Sequence, residues 1–167
     1  MNAKQLFDYI GYFETLWQSN KLAQAENFKF CTCSGIETLQ GPLQQFRTAN
    51  AFFCVDDTND GATFRGRNGG WFKKRTVTVF LMHRYNIKSM STYTAALETC
   101  RTLFRQLLTR MLIDEDALSY DMVYLRTESV LSRELGQYFL NGCTGLYFMV
   151  EVAEPIDLTF DATEWQS

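Results

Sequence analysis

The sequence predicts an α+β fold in which an antiparallel β-sheet carries a long helix packed on one face. A run of β-branched and aromatic residues from Thr76 to Met82 is typical of a strand. After Ser91 the apolar residues recur at three- and four-residue steps, which is typical of an amphipathic helix. These apolar positions are Leu97, Cys100, Phe104, Leu107, Leu108 and Met111. A strand followed by a helix with one apolar stripe predicts a helix that lies on a sheet.

The N-terminal third predicts an extra helix and two strands. Residues 2–20 form one helix, because Leu6, Ile10, Phe13 and Trp17 lie on a single helical face. The alternation of apolar and polar residues over 28–33 predicts a strand. A second strand is predicted within residues 46–55.

Residues 56–74 are predicted to form an extended, charged and partly mobile β-hairpin loop. Two turn-forming runs, 56–61 and 65–70, contain the Asp-Gly and Asn-Gly steps that adopt positive φ at little cost. The long strand that follows is predicted over 71–85, with Val77, Val79, Leu81 and His83 on one face.

The C-terminal half predicts the long helix, a closing set of strands and a tail. The helix, about residues 91–113, should end before Asp114, because acidic side chains at a helix C-terminus oppose the macrodipole. The later elements are a strand over 122–127, a link over 128–134, a strand over 136–140, a turn at Asn141-Gly142, a strand over 145–152 and a tail over 154–167.

Length and composition restrict the class of protein. A chain of 167 residues predicts a single domain with a core that needs no disulfides. Hydrophobic residues make up 46% of it, which excludes disorder and favours an oligomer. The net charge of −3 argues against a protein that coats DNA phosphates. The N-terminus does not resemble a signal peptide, and we expect no membrane span.

The five cysteines are expected to be reduced thiols in a cytosolic protein. Cys31 and Cys33, two residues apart, should point to the same face of a strand, and Cys100 lies on the apolar stripe of the helix. We expect no metal site, because the chain has no CxxC pair and a single histidine.

Two loop motifs have competing interpretations. The run 56–61 resembles the start of a calcium loop, but Arg67 stands where a bidentate glutamate is needed, so a turn is favoured. The glycine-rich basic run 65–75 is typical of an anion-binding loop, yet it matches no phosphate-binding motif. A hairpin loop with solvated charge is favoured, and a loop that contacts another subunit or DNA is the alternative.

We predict no enzymatic activity and no cofactor. A catalytic His83 would need Cys54 or Cys100 within hydrogen-bond reach, and a lone histidine in a strand is typically structural. Glu98 and Glu134 are isolated and are predicted to lie on the surface. The aromatic pairs 138–139 and 147–148 favour a core over a base-stacking platform, since we expect no basic residues near them to flank such a platform.

The order of elements resembles the tail terminator and tail completion proteins of tailed bacteriophages. The resemblance covers the strand 76–85, the helix 93–113 and the hairpin 122–152 with its acidic tail 154–161. It implies a non-enzymatic head–tail joining subunit that forms a ring, commonly of six copies, caps the tail tube and meets neck proteins. It also implies a place in the virion, after assembly in the host cytoplasm.

A ring subunit needs complementary surfaces on its two sides, which predicts contacts between the basic loop 56–74 and the acidic tail. The expected contact residues are Arg65, Arg67, Trp71, Lys73, Lys74, Arg75, Asp157, Asp161 and Trp165. The alternative is a nucleic-acid-binding module in which the basic residues of the run 65–75 contact DNA phosphates.

Overall fold

The computed structural model describes residues 5–45, 47–139 and 142–166, and it confirms the α+β class. The helices are Tyr9–Ser19 (α1), Lys21–Ala25 (α2), Gln40–Gln45 (α3) and Met90–Tyr120 (α4). The strands are Phe28–Cys33 (β1), Ala51–Asp56 (β2), Asp60–Arg65 (β3), Trp71–Arg84 (β4), Tyr124–Phe139 (β5) and Cys143–Pro155 (β6). Short 3₁₀ turns occupy Ile36–Thr38 and Ala162–Glu164.

The six strands form one sheet in the order β1-β2-β4-β6-β5, and β3 also pairs with β4. β2 pairs with β4 between His83 and Val79, and β3 continues along β4 between Thr76 and Trp71. The prediction of an antiparallel sheet is wrong for one pair, since β1 and β2 are parallel. Their connection contains the first 3₁₀ turn and α3, which is long enough for the crossover that parallel strands require.

One face of the sheet, here called the helix-covered face, packs against α1 and α4. Val77, Val79 and Leu81 of β4 lie on it and are fully buried. Phe13 of α1 and Leu107 of α4 belong to the same core. The predicted packing of the long helix on a sheet is therefore confirmed.

The opposite face, here called the second face, is only partly covered. The first 3₁₀ turn and α3 place Leu39 and Leu43 over β1, β2 and the C-terminal part of β4. Phe80 and Met82 of β4 are buried there, and so is Cys33. Further along the same face of β4, Phe72, Lys74 and Thr76 are only partly buried, so this end of the sheet is left open.

The long helix ends later than predicted, at Tyr120 and not before Asp114. Asp114 is buried, accepts a hydrogen bond from the Tyr12 hydroxyl at 3.0 Å and pairs with Arg110. Glu115 accepts a hydrogen bond from the Thr127 hydroxyl. These partners stabilise the carboxylates inside the helix, so the macrodipole does not end it there.

Other boundaries also differ from the predictions. The first helix begins at Tyr9, where the Asp8 carboxylate accepts a hydrogen bond from the Gly11 N–H, so Leu6 precedes it. The second strand begins at Ala51. β5 is one bulged strand, where the sequence predicted two strands and a link. Residues 1–4, 46, 140 and 141, which begin or end predicted elements, lie outside the described residues.

Candidate interaction surface

The β-hairpin predicted over 56–74 is present, and it is made of β3 and the first half of β4. Its tip, residues 66–70, is closed by hydrogen bonds from Gly66 N to Gly70 O (2.7 Å) and from Gly69 N to Gly66 O (3.0 Å). Because successive strand residues point to opposite faces, this hairpin separates the predicted contact residues into different surfaces.

Arg75 lies in the interior and not on the exposed surface that the sequence predicted. Its guanidinium forms an ion pair with Glu154 at 3.1 Å, donates a hydrogen bond to the Phe7 carbonyl at 2.7 Å and lies over the Tyr9 ring. Glu154 also accepts a hydrogen bond from Phe7 N at 2.7 Å. Arg75 therefore joins the hairpin to β6 and to the segment before α1.

Lys73 and the acidic tail lie together within one chain. A groove of about 370 Å³ is lined by Thr63 and Lys73 of the hairpin, by Leu6, and by Ile156, Asp157, Thr159 and Glu164 of the tail. The tail starts beside β4, where Ile156 N donates a hydrogen bond to Trp71 O at 3.0 Å. Part of the basic-to-acidic complementarity that was expected between copies is thus made inside the chain.

Lys74 points to the second face, where its ammonium lies 3.0 Å from Glu151. Glu151 also lies 3.8 Å from Arg126. This exposed network balances its own charge in part, and exposed pairs of this kind contribute little to stability. Lys74 is therefore a weaker candidate for partner contact than the arginines of the tip.

Arg65 and Arg67 remain exposed at the hairpin tip, next to a group of aromatic side chains. Phe64 stacks on Phe72 with ring centroids 5.6 Å apart, and Phe72 lies 6.3 Å from Tyr124. Phe64 is 41% exposed and Tyr124 is 42% exposed. Together with Arg67 and Arg126 they line a cleft of about 730 Å³, here called the aromatic cleft.

The aromatic cleft also contains carboxylates. Glu115 and Asp116 come from the C-terminal end of α4, and Glu128 comes from β5. Glu115 accepts the Thr127 hydrogen bond, and Glu128 lies 3.9 Å from Arg126. The cleft therefore combines an apolar wall with charges of both signs, which is typical of a protein-binding surface more than of a phosphate-binding one.

The tail presents a second aromatic feature. Phe160 and Trp165 stack with ring centroids 6.2 Å apart, and they are 73% and 69% exposed. Asp161, between them, accepts hydrogen bonds from the backbone and the hydroxyl of Thr163, which lowers the pKa of its carboxyl group. We call Phe160 and Trp165 the tail aromatic pair.

The residues considered for catalysis are not brought together. His83 lies against Phe28 on the helix-covered side, whereas Cys54 belongs to the core of the second face. The cleft beside His83 is lined by no cysteine. Hydrogen bonds with Cys31 and Cys33, together with burial, raise the pKa of Cys54, and burial raises the pKa of Cys100 to about 12. Such thiols are poor nucleophiles.

The structure has a turn at the start of the run 56–61. The Asp56 carboxylate accepts hydrogen bonds from Gly35 N and from the backbone and hydroxyl of Thr58, so it closes a turn as predicted.

The aromatic pairs considered as a base-stacking platform lie on β5 and β6. Arg133 is the register partner of Tyr147, which places a basic residue beside that ring, contrary to the sequence reading. The side chains of Tyr138 and Phe139 lie outside the described part of the chain.

The aromatic cleft was missed by sequence reasoning, which treated the hairpin as a charged loop. A usable signal was present, because Phe64 and Phe72 are equidistant from Asn68, the centre of the glycine-rich turn. A hairpin folded about that residue must place the two rings opposite each other, as the register shows. Tyr124 carried no such local signal.

No protein-family model matches the chain, and no curated protein matches it either. Within the described residues, no helix is long and apolar enough to cross a bilayer. Across the same ranges no group of three or more His, Cys, Asp or Glu side chains is placed to hold a metal ion.

Proposed function

We propose that this chain is a non-enzymatic assembly subunit of a tailed-bacteriophage virion, a tail terminator or head–tail connector. In this role copies form a ring that joins the tail tube to the head, within the virion and after assembly in the host cytoplasm. The resemblance in element order supports this proposal, and the exposed surface of the chain gives it physical support.

The observation that carries the proposal is the concentration of exposed apolar side chains around the hairpin, the end of α4 and the tail. The large exposed residues there are Phe64, Trp71, Tyr120, Met122, Tyr124, Leu158, Phe160 and Trp165. Scattered apolar residues are ordinary on a surface, but a concentration of them is typical of a protein–protein contact. A subunit that is buried among its copies requires such a surface.

Self-association of the purified chain tests this proposal. Size-exclusion chromatography with light scattering should show a mass that rises with concentration to a closed multiple of 19.4 kDa, and electron microscopy should show rings. A strict monomer at the highest soluble concentration contradicts the proposal. The neighbouring genes give a second test, because head and tail-tube genes should flank this one.

A nucleic-acid-binding module is the second candidate, favoured by the exposed arginines beside aromatic rings at the hairpin tip. The matched test is binding of a fluorescent single-stranded DNA at several salt concentrations. If this candidate is right, Arg65→Glu with Arg67→Glu weakens binding and flattens the salt dependence. Charge reversal of Lys88, which lies outside the cleft, is the control.

A further inference from the structure

The tail aromatic pair is an apolar feature that its own chain leaves uncovered. Phe160 and Trp165 stack on each other, yet each remains more than two-thirds exposed. Leu158, nearby in the same tail, is also exposed. Burying aromatic side chains of this size is strongly favourable, so their exposure in the single chain indicates that another surface covers them.

The aromatic cleft has the chemistry to cover them. Its volume of about 730 Å³ is enough for two aromatic side chains, and Phe64, Phe72 and Tyr124 supply ring faces and edges. Aromatic rings attract each other through their edges and faces beyond the area that they bury. An occupant of the cleft should therefore present aromatic rings.

Within one chain the hairpin stands between the two features. Phe64 and Phe72 are register partners on the second face, whereas Thr63 and Lys73 are register partners on the helix-covered face. Thr159 and Glu164, beside the tail aromatic pair, line the groove with Thr63 and Lys73. The tail groove and the Phe64–Phe72 wall of the aromatic cleft thus lie on opposite faces of the same hairpin.

The charges of the aromatic cleft and of the tail also favour contact between the two features. Arg67 lines the cleft and has no hydrogen-bond or ion-pair partner in the part of the chain that the structure describes. Asp161 and Glu164 lie between the two members of the tail aromatic pair in sequence and give this segment negative charge. Two of the three carboxylates of the cleft, Glu115 and Glu128, are already partnered, which leaves Asp116 as the opposing charge.

We propose that the tail aromatic pair of one copy inserts into the aromatic cleft of a second copy, with Arg67 of the receiving chain facing the acidic residues of the tail. This inference rests on the proposed function, because it names the contact by which the ring closes. Each copy gives its tail to one neighbour and receives a tail from the other. Such a head-to-tail contact generates a ring when the rotation between copies closes.

A mixing experiment with two complementary variants tests the inference. Phe160→Ser with Trp165→Ser removes the tail aromatic pair and leaves the aromatic cleft intact. Phe64→Ser with Arg67→Glu disrupts the aromatic cleft and leaves the tail aromatic pair intact. Each variant alone should lose at least tenfold in its association constant. An equal mixture should form dimers of twice 19.4 kDa and nothing larger, since only one productive contact remains. Ile87→Ser, an exposed apolar residue outside both features, is the control and should associate like the parent chain.

The outcomes separate this inference from the proposed function. If the parent chain and both variants associate equally, the inference is overturned and the ring proposal stands. If the parent chain never associates, both are overturned. A second measurement covers loss of folding in the variants: Phe64→Cys and Trp165→Cys chains are mixed with oxidised glutathione as the oxidant. A 64–165 disulfide between copies supports the inference, and its absence under conditions where the parent chain associates contradicts it.

Discussion

β2 and β3 are consecutive six-residue strands that pair with the same edge of β4, yet they have opposite environments. Every residue of β2 is buried, and every residue of β3 is exposed. The difference arises from what covers them. β2 lies between two cores, one under α1 and α4 and the other under α3, whereas neither of these cores includes a residue of β3. Pairing with β4 therefore builds both halves of this sheet edge, the buried half β2 and the exposed half β3, but only the buried half is part of the core. The exposed half is free to contact a partner.

The largest effect should come from the buried half. Phe53→Ala in β2 removes a fully buried ring from the core of the helix-covered face. We expect it to lower the free energy of unfolding by about 3–5 kcal/mol, because the ring loses its contacts and leaves a cavity. Urea denaturation monitored by circular dichroism measures this. A loss below about 1 kcal/mol would mean that β2 is not held as tightly as its burial indicates.

The next effect concerns a buried ion pair beside the exposed strand β3. Arg75 pairs in register with Gly61 of β3, and its guanidinium meets Glu154 in the interior. Glu154→Gln should lower the free energy of unfolding by about 3 kcal/mol, because it leaves an uncompensated buried charge. Arg75 Nε already lacks a hydrogen-bond partner in the described structure, so little can compensate for the loss.

A double variant separates that explanation from general damage. Arg75→Met combined with Glu154→Gln removes both charges, so it should be more stable than Glu154→Gln alone. If the double variant is the less stable of the two, packing of the arginine stem matters more than its charge.

These two effects also show how far the sequence could predict the structure. Alternation within 28–33 and 71–84, and the apolar stripe of α4, are local patterns, and each gave the right element on the right face. The burial of Arg75 depends on Glu154, 79 positions away, and the late end of α4 depends on a hydrogen bond from Tyr12, 102 positions away. Such partners are set by tertiary packing, so a basic run in the sequence does not become one basic surface. The sequence predicted the hairpin and the tail as the segments of the candidate contact surface, but it did not predict the aromatic cleft.

A smaller effect should come from the exposed half. Phe64→Ala in β3 is the counterpart of Phe53→Ala, since both rings belong to strands paired with β4. We expect the free energy of unfolding to change by about 0.5 kcal/mol, because the ring is largely at the surface. The same variant should weaken self-association measured by light scattering. A loss of stability as large as that of Phe53→Ala would show that the hairpin is part of the folding core and would remove the distinction between β2 and β3.

The smallest effect concerns Glu134, on the edge strand β5. Arg101 of α4 binds this carboxylate with both Nε and Nη2 at 2.6 Å, and these hydrogen bonds lower the pKa of Glu134. A carboxyl group whose pKa is lower in the folded chain stabilises the fold above its unfolded pKa, and that contribution is lost as the pH falls through the folded value. Glu134→Gln should therefore be slightly less stable than the parent chain at pH 7, and the difference should vanish in acid. Because the pair is exposed, added salt should reduce the difference at pH 7 as well. A difference that is independent of both pH and salt would indicate that Glu134 contributes through packing against α4, and β5 would then resemble β2 more than β3.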